Sequence, residues 1–138
     1  MKQAFHSLTV LTKGPGLYEF SDDAKAFVRG EKIENGLLTC FIRHTSASLL
    51  IQENADPDVL KDLRDFFAQL ARSGMNYRHT AEGPDDMPSH IRSALTQTSL
   101  AIPLHKGHLA LGTWQGLYVF EHRDAPHKRE VTLHLVGN

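Results

Sequence analysis

The apolar positions of this chain fall into many short runs and only a few helical stretches. Ala4 to Thr12 alternates loosely and is rich in β-branched residues, which predicts a strand. Gly14-Pro15-Gly16 punctuates it, and Leu17 to Phe20 predicts a second, short strand. Ser21 is placed as an N-cap, with Asp22 and Asp23 favouring the first turn of a helix whose apolar face is Ala24, Phe27 and Val28. After the Asn35-Gly36 turn signal come two strands, Leu37 to Arg43 and Ser48 to Glu53, separated by His44-Thr45-Ser46-Ala47.

Asp56-Pro57 is a cap and first-turn pair that opens a helix. Val59, Leu60, Leu63, Phe66, Phe67 and Leu70 continue that helix to about Ala71. Met75 to Met87 is polar and turn-rich, and Pro88 is expected to start a short helix carrying His90, Ile91, Ala94 and Leu95. Strands are expected at Ser99–Pro103, Leu109–Leu111, Leu117–Glu121 and Glu130–Val136, with His105-Lys106-Gly107-His108 as a hairpin loop. The pattern is that of an α+β domain, mostly an antiparallel, β-sandwich-like sheet with two or three packed helices.

The length of 138 residues fits one domain spanning 1–138. A net charge of −1 gives no basic footprint for nucleic acid. No apolar stretch approaches the roughly 18 residues of a membrane span, and the N-terminus lacks a signal-peptide core. The single cysteine, Cys40, sits in an apolar run and reads as a buried, inert thiol. A cytoplasmic protein is expected, with no membrane and no nucleic-acid partner.

Nine histidines change this ordinary picture. His79 and His90 bracket the run H-T-A-E-G-P-D-D-M-P-S-H, which also holds Glu82, Asp85 and Asp86. Imidazole is the commonest metal ligand and the usual proton shuttle near neutral pH. His44 closes a strand and faces a loop, where a rigid element can present it. The expected metal set is His44, His79 and His90, holding a divalent ion such as Zn or Mg with one position open. Asp85 and Asp86 are candidates for ligands, for orienters of the histidines or for helix-start charges. Glu53 closes an apolar strand and reads equally as a functional carboxylate or a paired structural one. Gly112-Thr113-Trp114-Gln115-Gly116 reads either as a bulged strand whose Trp114 fills the core or as a pocket wall. Glu121-His122-Arg123 and His127-Lys128-Arg129 form a charged cluster before the last strand, suited to an oxyanion or to an internal ion pair. His6, His105, His108 and His134 are set aside as structural or exposed.

The runs H-T-S-A-S-L-L-I-Q-E-N-A-D-P-D-V, G-P-D-D-M-P-S-H-I and I-P-L-H-K-G-H-L-A-L-G-T-W-Q-G-L-Y-V-F-E-H-R closely resemble the YjbQ-like family, and the resemblance runs from about Leu8 to the C-terminus. It implies a compact α+β fold, a homotrimer with sites near subunit interfaces, and a weak, secondary thiamine-phosphate synthase activity. That reaction joins a hydroxymethylpyrimidine diphosphate to a thiazole phosphate. By position the resemblance assigns His44, His79 and His90 to the family's histidines, Glu53 and Asp58 to its acidic segment, Trp114 and Gln115 to its tryptophan-glutamine motif, and Glu121 and Arg129 to its C-terminal acid and arginine. The expected mechanism has a divalent ion and Arg129 stabilising the departing diphosphate, Trp114 stacking on the heterocycle, and Glu53 or a histidine such as His44 moving the proton. A metal-dependent hydrolase and a non-catalytic small-anion binder are the alternatives.

Overall fold

A computed structural model describes residues 1–138. The elements run β1 (Lys2–Thr12), β2 (Gly16–Glu19), α1 (Ser21–Glu31), β3 (Gly36–Ile42), β4 (Ala47–Glu53), α2 (Pro57–Leu70), α3 (Asp86–Leu95), β5 (Ser99–His105), β6 (His108–Leu109), β7 (Gln115–Glu121) and β8 (His127–Gly137). Two antiparallel sheets form, one ordered β1-β8-β3-β5-β6 and one ordered β2-β7-β4. The expected α+β class, the three helices and nearly every strand are found.

Alternation decides which side chains meet between the sheets. Leu38, Cys40 and Ile42 of β3, Leu100, Ile102 and Leu104 of β5, and Val131, Leu133 and Leu135 of β8 point inward from the large sheet. Ala47, Leu49, Leu117 and Val119 answer them from the small one. Ala24 and Val28 of α1 join the same core. Cys40 is fully buried among them, and burial pushes its thiol up to about 12, so it is inert as expected.

The strand β7 is buried on both faces, which explains why Leu117 to Phe120 is apolar without alternation. Its outward residues, Tyr118 and Phe120, are covered on the helical side. Phe67 of α2 sits edge-on against Phe120, with ring centroids 5.3 Å apart. By contrast the outer face of the large sheet carries Phe5, Leu37 and Phe41 in the open, at 70%, 39% and 48% exposure.

The turns follow local chemistry. Asp56 caps α2 as expected, accepting a hydrogen bond from the Asp58 amide at 2.9 Å. Ser21 does not cap α1. It is the first helical residue, its hydroxyl donates to Glu19 Oε2 at 2.7 Å and it accepts from the Leu117 amide. The third helix starts at Asp86, with Pro88 inside its first turn where a missing amide proton does no harm. Lys106 and Gly107 both take positive φ, the two-residue turn that suits a hairpin.

Gly36 and Gly137 pair directly across β3 and β8. A Cβ on Gly36 would sit 2.0 Å from the Val136 carbonyl oxygen, so the strands can approach this closely only as glycines. Gly36→Ala is expected to destabilise the fold by about 1–3 kcal/mol, as overpacking does. Urea unfolding of the variant at neutral pH checks this, and an unchanged midpoint would refute it.

Candidate functional site

The polar run from His79 to His90 folds so that its chemistry converges. The start of α3 brings Asp86 and His90 onto one face at i and i+4 spacing, and the preceding loop delivers His79. Asp86 is 4% exposed, and its two oxygens divide the work. Oδ1 accepts from Arg123 Nη1 at 2.7 Å. Oδ2 lies 2.7 Å from His79 Nε2 and 3.0 Å from His90 Nε2. The two imidazoles meet edge-on with centroids 5.5 Å apart. His79, Asp86 and His90 each offer one ligand atom, all within 4.8 Å of one another.

Arg123 fixes this cluster from behind. Its Nε donates to Asp85 Oδ2 at 2.9 Å and its Nη2 to the Glu82 carbonyl at 2.9 Å. Hydrogen bonding to Asp85 pushes the Arg123 guanidinium up. Burial pushes the Asp86 carboxyl up, but the hydrogen bond from His79 and the charges of His90 and Arg123 outweigh it, so the group stays ionised below the ordinary range. The His90 ring is oriented by its other nitrogen, which donates from Nδ1 to the Thr45 carbonyl at 2.9 Å.

Of the three expected ligands, His79 and His90 converge, but the group that joins them is Asp86, and the ring of His44 is engaged elsewhere. His44 Nε2 accepts the Glu130 amide proton at 2.8 Å. A neutral ring that accepts at Nε2 carries its proton on Nδ1 and has no lone pair left for an ion. Burial first and then the charge of Arg129 push His44 down, which keeps it neutral. The residue still borders the site: His44, Thr45, His90, Ser93, Ala94 and Thr98 line a recess of about 210 Å³. A second, wider recess shares His44, Thr45 and Thr98 and adds Phe41 and Arg43.

Arg129 is also corrected. Its guanidinium is 3% exposed and grips Glu121 through Nε and Nη2, with Ser46 as a further acceptor. Burial raises the Glu121 carboxyl, but hydrogen bonds from Arg129 and Thr12 outweigh it and hold it low. This pair is a closed internal bridge, so Arg129 has no charge to offer a substrate. The arginine that reaches the cluster is Arg123, which the sequence showed only as part of a basic stretch.

Glu53, Trp114 and Gln115 lie at the other end of the small sheet. Register pairs Ala47 with Glu121 at the histidine end and Glu53 with Gln115 at the far end. Six residues of strand separate them, roughly 20 Å. Trp114 is 62% exposed and so neither fills the core nor touches the histidine cluster. Gln115 Oε1 accepts the Gly112 amide at 2.8 Å and shapes its own loop. Asp58 sits exposed in the first turn of α2. Asp85 holds Arg123 and the Asp124 amide, so it is an orienter.

His122, in the charged stretch before the last strand, is 1% exposed. Its Nε2 lies 2.9 Å from Ser48 Oγ. Burial, and then the charge of Arg92, push the imidazole down to about 3. The folded ring therefore stays neutral while the unfolded ring takes up a proton below about pH 6.5. Stability should fall as pH drops from about 6.5 toward 3. The difference in urea midpoint between the wild type and His122→Asn should be constant above pH 7 and shrink below 6.5; a pH-independent difference would contradict this.

Breaking the inner bridge should be severe. Arg129→Met leaves Glu121 ionised, fully buried and unpaired, which is expected to destabilise by about 3–5 kcal/mol. Replacing both residues by apolar ones should recover most of that loss in thermal melts.

The comparisons with known proteins come out on one side. The family described as UPF0047 protein YjbQ-like matches residues 6–138. The UPF0047 protein sll1880 of Synechocystis is 56% identical over 131 residues, covering 94% of this chain and 89% of its own. The UPF0047 protein YjbQ of Escherichia coli O157:H7 is 40% identical, covering 95% and 96%. Among solved structures, a conserved hypothetical protein from Thermus thermophilus is 34% identical with a TM-score of 0.84, covering 95% of this chain and 99% of its own. A YbjQ-like protein of Sulfolobus solfataricus reaches a TM-score of 0.91 at 20% identity, covering 99% of each chain, and shares the fold. This chain belongs to the UPF0047 family of YjbQ-like proteins.

Proposed function

We propose that His79, Asp86 and His90 hold a divalent metal ion, and that the ion serves transfer chemistry on a small diphosphate substrate of the thiamine-phosphate-forming kind. One observation carries the ion. His90 donates from Nδ1 to Thr45, so a neutral ring has its lone pair on Nε2, 3.0 Å from Asp86 Oδ2. At that distance either a ring proton or a metal ion must lie between the two lone pairs, and an ion would take the place of the proton. The donor set suits a zinc-like ion: two imidazoles and one carboxylate, with room for a further ligand. Donor atoms about 2.0–2.1 Å from a tetrahedral ion stand about 3.3 Å apart. The observed 2.7 and 3.0 Å are short of that by less than a side-chain rotation can supply.

When bound, such an ion supplies a Lewis acid for a departing phosphate or diphosphate. The chain's own residues do the rest. Arg123 holds Asp86 ionised and aimed, and the Thr45 carbonyl keeps the Nε2 lone pair of His90 turned inward. His44 faces the adjoining recess with an Nδ1 proton that can be donated to a substrate oxygen. Phe41 and Arg43 give the wider recess a ring and an exposed guanidinium, the parts that a heterocycle and a phosphate need. Phe41 and Arg43 thus fill the roles that the family resemblance suggests for Trp114 and Arg129.

The trimer implied by the family resemblance belongs to the same proposal. The open face bearing Phe5, Leu37 and Phe41 is the natural contact between copies, and it runs up to the wider recess through Phe41. The inert Cys40 and the absence of any helix long and apolar enough to cross a membrane are compatible with a cytoplasmic setting. A simple hydrolase is the second reading, favoured by the open positions that a three-residue ligand set leaves for water.

Chelator-competition titration with zinc should give one site per chain. Arg123→Gln is expected to weaken it about 10–100-fold, and His90→Gln to remove it. With magnesium or zinc, the protein should form thiamine phosphate from the two heterocyclic phosphates, and Asp86→Asn should not. Equal, ion-independent turnover by both proteins would overturn the proposal. Loss of phosphate-ester hydrolysis alone in Asp86→Asn would select the hydrolase reading.

A further inference from the structure

A third concavity lies on the other side of α3, beneath α2. It encloses about 260 Å³, and its lining includes Arg64, Phe67 and Ala68 of α2, Arg92 of α3, and Phe120 and His122 at the end of β7. None of the ligand atoms of the histidine cluster borders it. Three features set it apart from an ordinary packing gap.

The first is the state of α2. Its apolar residues recur at helical spacing, yet none of its fourteen residues is buried. An amphipathic helix normally gains its stability by burying that face. Here Phe67 meets the sheet on Phe120 and, with Arg64 and Ala68, borders the cavity, while Phe66 and Leu70 stay exposed. The helix is packed as the roof of a space, with its apolar face only half covered.

The second is an arginine without a carboxylate. Arg92 donates from Nε to the Phe67 carbonyl, from Nη2 to the Ala71 carbonyl and from Nη1 to the His122 carbonyl, at 3.2, 2.6 and 3.4 Å. No acid stands within ion-pair distance of it, unlike Arg123 and Arg129. Arg64, at the same cavity, has only a 3.6 Å contact with its neighbour Asp65. Of the two acids at the lining, Glu121 is paired with Arg129, and the exposed Asp124 acts on Arg92 only from beyond ion-pair distance. Arg92 thus has no carboxylate in direct contact.

The third is an unused ring nitrogen. His122 Nδ1 has no partner although the residue is 1% exposed. Thr96 Oγ1 lies 2.6 Å from Ser48 Oγ, and Ser48 Oγ lies 2.9 Å from His122 Nε2. Thr96 Oγ1 also donates to the Arg92 carbonyl at 2.8 Å, and this chain leaves His122 Nδ1 as a buried nitrogen without a partner. A buried polar atom left unpaired is unfavourable by about 1–3 kcal/mol.

From these we infer that the cavity beneath α2 binds a small organic oxyanion with an apolar body. The oxyanion sits on Arg92 and Arg64, and the apolar body lies against Phe67 and Phe120. The volume admits one ring and one anionic group and is too small for a nucleotide. A carboxylate and a phosphate monoester share the chemistry that the two guanidinium groups recognise.

Benzoate, phenyl phosphate and inorganic phosphate serve as probes in calorimetric titrations of the full chain, with and without a chelator. A ring-bearing probe should bind with a Kd on the order of 1 mM or tighter, and the chelator should not matter. Preference for benzoate or for phenyl phosphate then identifies a carboxylate or a phosphate as the recognised group. Arg64→Gln should weaken binding several-fold. Ala68→Phe, which fills the space from the roof, should abolish binding while the fold survives, as judged by an unchanged or raised Tm. The inference is overturned if neither ring-bearing probe binds, if inorganic phosphate binds as tightly as phenyl phosphate, or if Ala68→Phe binds as the wild type does.

Discussion

One buried carboxylate organises the functional end of this molecule. Asp86 is almost out of water, keeps its charge, and has that charge divided between a guanidinium on one oxygen and two imidazoles on the other. A buried charge persists only when paired and hydrogen-bonded. Arg123 therefore has to be held, and Asp85 with the Glu82 carbonyl hold it. His90 in turn has to be aimed, and the Thr45 carbonyl aims it. The polar loop, the start of α3 and the turn after β3 are tied together by a single group.

The sandwich makes that arrangement possible without taking part in it. Two sheets share one apolar core, and β7 delivers Glu121, His122 and Arg123 in succession into three different surroundings. Glu121 turns inward to Arg129, His122 turns to the helical side beside Ser48, and Arg123 reaches the histidine cluster. Strand alternation explains the first two, and the end of the strand frees the third. Three adjacent polar residues thus have three unrelated jobs.

Much of the fold was legible because periodicity is a local signal. The strands, the Asp56-Pro57 helix start and the Lys106-Gly107 turn follow from residues a few positions apart. The density of His79 to His90 also marked the right segment, since ligands on one loop and one helix turn are close in sequence. What could not be read was which distant residues share an end of the sheet. Glu53, Trp114 and Gln115 looked like site residues, but register puts them at the far end from His44. Arg123 and Arg129 look alike in sequence, and only the inward or outward turn of the backbone separates a site residue from an internal bridge. The role of His44 was hidden in a single backbone amide, that of Glu130, which occupies its acceptor nitrogen.

The most direct test of the account is the state of the His90 ring, observed by nitrogen-15 NMR of the imidazoles before and after addition of zinc. With zinc, Nδ1 of His90 should remain protonated toward Thr45 while Nε2 shows the shift of a metal-bound nitrogen, with His79 changing in step and His44 keeping an unligated ring. If the His79 and His90 resonances stay where they were while those of His44 move, or if none move, the Asp86-centred ion site is wrong.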